Sequence, residues 1–109
     1  MPRDAVETAY FTLLRAREEL SALQRYDEVL QAEAQRLRRT TSEGAALIAQ
    51  ADPRMIRALK HTDQPLADAV SARLAVIEDE RLRLPDRIEA AQAHVEECEH
   101  AHARLQAGG

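Results

Sequence analysis

The stretch "LLRAREELSALQRYDEVLQAEA", residues 13–34, decides the fold. Its apolar residues Leu13, Ala16, Leu20, Leu23, Leu30 and Ala34 follow one another in steps of three and four, with Asp27 the polar member of the series. Such steps place side chains on one stripe of an α-helix, and a sustained stripe of this kind is the seam of a coiled coil. The pattern extends backwards through Ala9 to Val6 and forwards through Leu37, Thr41 and Gly44 to Ile48.

A second series of the same kind runs Ala67, Val70, Leu74, Ile77, Arg81, Leu84, Ile88, Ala91, Val95, Cys98, His102, Leu105. Arg81 and His102 are its polar members. Between the two lies "ADPRMIRALKHTDQPLAD", residues 51–68. Asp52 before Pro53 reads as a helix cap followed by proline at the first helical position. We expect helix 1 over about 4–51, a short tip helix over about 53–60, and helix 2 over about 63–106. Thr62 or Asp63 would cap helix 2, with Pro65 in its first turn. The result is one all-α domain, 1–109: a long antiparallel coiled-coil helical hairpin with a short helix at the tip.

Antiparallel partners have residue numbers with a constant sum. A sum of 111 aligns every seam position, so that Leu13 meets Cys98, Leu20 meets Ala91 and Ala34 meets Ile77. Shifts of one heptad, to 104 or 118, stay open on spacing alone. Pro85 lacks an amide and crowds the carbonyl of Arg81. The heptad keeps its phase across it, so we expect a kinked but continuous helix there, with a true break as the rival.

Composition agrees with long helices. The 109 residues include three glycines, four prolines, three aromatics and no tryptophan. The longest apolar run, "AALIA" at 45–49, is far below the roughly 20 residues that span a bilayer. One cysteine makes no intrachain disulfide, and no secretion segment is apparent at the start, so a reducing cytoplasmic setting is expected. Glycine-rich phosphate loops and nucleophile elbows are absent. The expectation is a non-enzymatic protein without a cofactor, with no membrane segment.

Charge is uneven. The net is −4, yet residues 36–63 hold six bases and three acids, a net +3. Arg36, Arg38, Arg39, Arg54, Arg57 and Lys60 make this basic tip, which would dock an acidic protein surface. Nucleic acid is the alternative ligand, through the guanidinium–phosphate fork. No aromatic residue lies near the tip to stack on bases. Many seam positions are small, so a lone hairpin would bury little, and Tyr10, Phe11 and Leu14 lie off the seam. These three are the expected self-interface of a homodimer forming a four-helix bundle.

The stretch "HVEECEHAH", residues 94–102, raises a metal alternative. His94, Cys98 and His102 are four residues apart, and imidazole with thiolate suits Zn(II) or Cu(I). "HVEEC" resembles the His-x-x-x-Cys element of copper-sensing repressors of the CsoR type. That resemblance implies a further cysteine from an earlier helix, and this chain has none. The reading from packing is that Cys98 and His102 belong to the seam. Glu97-x-x-His100 has the spacing of di-iron carboxylate bundles, but Leu14 and Phe11 would lie level with it rather than further ligands.

Overall fold

A computed structural model describes residues Pro2–Gly108. The described residues form two helices, α1 at Pro2–Gln50 and α2 at Pro53–Gly108. Only Ala51 and Asp52 separate them. The Asp52 carboxylate accepts the Met55 amide at 2.9 Å, and its carbonyl accepts the Ile56 amide at 2.8 Å. This is the cap expected in front of Pro53.

The separate tip helix over 53–60 and the new start at 63 are not found. α2 runs unbroken from Pro53. Thr62 explains the difference. Its hydroxyl donates back to the carbonyls of Ala58 (2.7 Å) and Leu59 (3.3 Å), a mid-helix use of threonine rather than a cap. Pro65 withholds one amide from the exposed His61, whose carbonyl can take water instead. Gln64 Nε2 donates to Asp68 Oδ1 at 2.9 Å, one helical turn apart on either side of the proline. α2 also continues through Pro85, so the break does not occur.

Contacts divide the chain into two compact units. One unit joins Met1–Asp27 to Arg83–Gly109, and the other is Glu28–Leu82. The divisions fall next to Asp27 and close to Arg81 and Pro85, beside the buried seam residues Leu30 and Leu84.

Each unit is an antiparallel helix pair in the same register. In the first, Leu13, Ala16, Val95 and Cys98 form one buried cluster with Leu20 packed on it. Leu13 and Cys98 add to 111, as do Ala16 and Val95. The flanking ion pairs test the register independently. A residue one after its seam position on α1 faces the residue four after the seam partner on α2, giving a sum of 116. Arg17–Glu99 in the first unit and Arg38–Glu78 in the second both have it. On the opposite flank the sum is 106, and Glu33–Arg73 has that. A shift of one heptad would change all three sums by seven.

Every buried hydrophobic residue among those described is a seam residue: Leu13, Ala16, Leu30, Ala34, Ile77, Leu84, Val95 and Cys98. Val29 and Leu82, off the seam, are exposed. Burial thus follows position in the repeat rather than hydrophobicity alone.

Candidate functional site

Around the turn, in the Glu28–Leu82 unit, the seam residues are Thr41, Gly44 and Ile48 on α1 and Asp63, Ala67 and Val70 on α2. Gly44 faces Ala67, the smallest pair in the seam. A Cβ added at Gly44 would meet nothing within 4 Å. Thr41 stays exposed, its hydroxyl turned to the Leu37 carbonyl at 3.0 Å. The layer is therefore left open. A groove of about 490 Å³ lies over it, lined chiefly by Gly44, Leu47, Ile48, Leu59, Leu66 and Val70. Leu47 and Leu66 are 67% and 57% exposed.

The two ion-pair flanks show which side this groove occupies. Leu47 lies two heptads after Glu33, and Leu66 one heptad before Arg73. Both stand on the Glu33–Arg73 flank. Arg57, three heptads before Glu78, stands on the opposite flank with Arg38. Helical angle turns Arg39 and Arg54 outward, sets Lys60 toward the Arg38 flank and leaves Arg36 on the apolar one. The tip is thus two-sided, with apolar surface and Arg36 on one flank and the other five bases on and behind the other. All six expected bases are exposed. Only Arg38 is drawn into an ion pair, a long one of 3.7 Å to Glu78; among the described residues the other five make none. Two acids near them are engaged elsewhere: Glu33 accepts Arg73 (2.8 Å) and Asp52 caps α2.

The expected self-interface lies in the other unit. Tyr10 meets Phe11 edge-on, centroids 5.7 Å apart, and packs against His102 across the seam at 5.8 Å. Phe11 remains 61% exposed, while Leu14 is half-buried. Tyr10 is thus partly spent on its own chain, and Phe11 is the aromatic surface left over.

The metal stripe does not assemble. His94 Nε2 and Cys98 Sγ are 3.8 Å apart, but His102 is turned to Tyr10. Cys98 belongs to the buried cluster. Among the described residues no group of three or more His, Cys, Asp or Glu is placed to hold a metal ion. Glu97 and His100 are exposed and gain no third ligand.

Sequence reasoning located the bases and the aromatics but missed the groove. The signal was available: at a sum of 111, Gly44 and Ala67 are opposite each other, and two small residues leave a hole. The fold and these surfaces define an all-α antiparallel helical hairpin. Comparison with known protein families, with curated proteins and with solved structures returns no match to this chain.

Proposed function

We propose that this chain is a non-enzymatic interaction module, an adaptor whose basic tip engages an acidic protein surface. The observation that carries the reading is the set of exposed bases with no ion pair among the described residues, Arg36, Arg39, Arg54, Arg57 and Lys60. Exposed charge that its own chain leaves unpaired keeps its hydration and its field, and attracts the opposite sign over about a Debye length. The chain acts as a homodimer in this reading, with Tyr10, Phe11 and Leu14 covered by the second copy. No described helix is long and apolar enough to cross a membrane, and a lone buried thiol suits a reducing cytoplasm.

A salt series tests it. The chain should bind a polyglutamate peptide at low salt, and the triple variant Arg54→Glu, Arg57→Glu, Lys60→Glu should lose that binding. Duplex nucleic acid is the comparison probe. Tighter binding to the duplex than to polyglutamate, with a steep negative salt slope, would move the reading to a nucleic-acid-associated regulator. Binding to neither would end it.

A further inference from the structure

We propose that the groove over the Gly44–Ala67 layer receives Phe11 and Leu14 of a second copy, and that a twofold axis makes this contact twice. The proposal rests on the homodimer part of the reading above and not on its acidic partner.

Surface area is the first argument. The chain exposes 8332 Å², whereas a compact monomer of 12.2 kDa exposes about 6,100 Å². The excess, roughly 2,200 Å², is well above the about 800 Å² that each partner buries in a stable interface. The seam supplies no further cover, since no residue between 35 and 76 is buried.

Shape gives the second. The groove lies over the layer where two small residues meet, and a Cβ added at Gly44 would meet nothing within 4 Å. The other unit presents a large side chain. Phe11 and Leu14 are three residues apart, neighbours on the α1 surface, and form a compact aromatic–aliphatic knob.

Charge selects the pairing. Residues 36–63 carry a net +3, whereas Met1–Asp27 and Arg83–Gly109 together hold seven bases and ten acids, a net −3. Tip against tip, or aromatic end against aromatic end, would oppose like charges. The aromatic end of one copy against the tip of another joins unlike ones. Such a contact between different surfaces would propagate without end unless reciprocated, and a twofold closes it.

The full-length chain should sediment as a dimer at micromolar concentration. Phe11→Gln and Leu66→Gln, both exposed sites given a good helix former, should each weaken the dimer at least tenfold without loss of helicity by circular dichroism. Mixing the two variants restores one contact of two, so the mixture should dimerise more tightly than either alone. A mixture no tighter than its components would overturn the proposal, as would a monomeric parent chain. A second measurement does not depend on affinity. In a Cys98→Ser background, Phe11→Cys and Leu66→Cys chains should form a disulfide-linked pair under mild oxidation when mixed, at a rate neither reaches alone. Equal rates would equally overturn it. The polyglutamate assay reads the basic residues separately, so loss of one result leaves the other standing.

Discussion

Around Val95 the two helices close on each other, while between residues 35 and 76 no residue is fully buried, yet both regions keep the same register. The contrast separates two properties that coiled-coil patterns usually deliver together. Register comes from spacing and from the flanking ion pairs, and the pairs Arg17–Glu99, Arg38–Glu78 and Glu33–Arg73 report it in both units. Burial comes from side-chain volume. Leu13, Ala16, Val95 and Cys98 fill their layers, whereas Thr41, Gly44, Asp63 and Ala67 do not. A helix pair can therefore be aligned along its length and packed along only part of it.

The sharpest way to break this comparison is to remove volume from each region. Leu84 is 1% exposed, and Leu84→Ala should cost about 2–5 kcal/mol, read from the urea midpoint at constant slope. Leu66→Ala, at the open end, should leave the midpoint of the dissociated chain within about 0.5 kcal/mol. Equal losses would mean that the tip is packed after all.

Proline gives the next effect in size. α2 continues through Pro85, so the residue withholds an amide from an otherwise helical segment. Pro85→Ala should stabilise the chain by up to about 3 kcal/mol, seen as a higher midpoint of thermal unfolding. No gain would show that the fixed proline backbone is needed at the division between the units.

Gly44→Ala should add about 1 kcal/mol, because the new Cβ meets nothing and the helix loses its most flexible residue. The smallest effect belongs to Glu33 and Arg73. Their contact is 2.8 Å, but the side chains are 32% and 47% exposed, and a double-mutant cycle should return no more than about 0.5 kcal/mol. A larger coupling would give the ion pairs a share in stability as well as in register.

Most of the fold was legible because the heptad is a geometric code. Leu13 to Ala34 and Ile77 to Cys98 state both the helix and its inward face. The separate tip helix was misread because Thr62 and Asp63 have the chemistry of a cap, and only the path of the Thr62 hydroxyl, back to Ala58, shows its interior role. The division next to Asp27 was not stated by the seam residues. Charge counting found the six bases and hid their sides, since a net charge carries no angle. The structure does not bring the metal stripe together, for a comparable reason. Four-residue spacing puts His94, Cys98 and His102 near one line, but the seam turns Cys98 inward and Tyr10 takes His102.

The constant sum of 111 also constrains how a chain of this kind can change length. Deleting one residue from α1 rotates everything beyond it by about 100° and leaves α2 reading against the wrong partners. Seven residues lost from α1 alone restore the angle but not the opposite number. A matched loss of seven from each helix, on either side of the turn, restores both and lowers the sum by a fixed amount. Descendants of this sequence should therefore differ in length by fourteen residues, or by multiples of it, while insertions within the turn at Ala51 and Asp52 remain free of the rule.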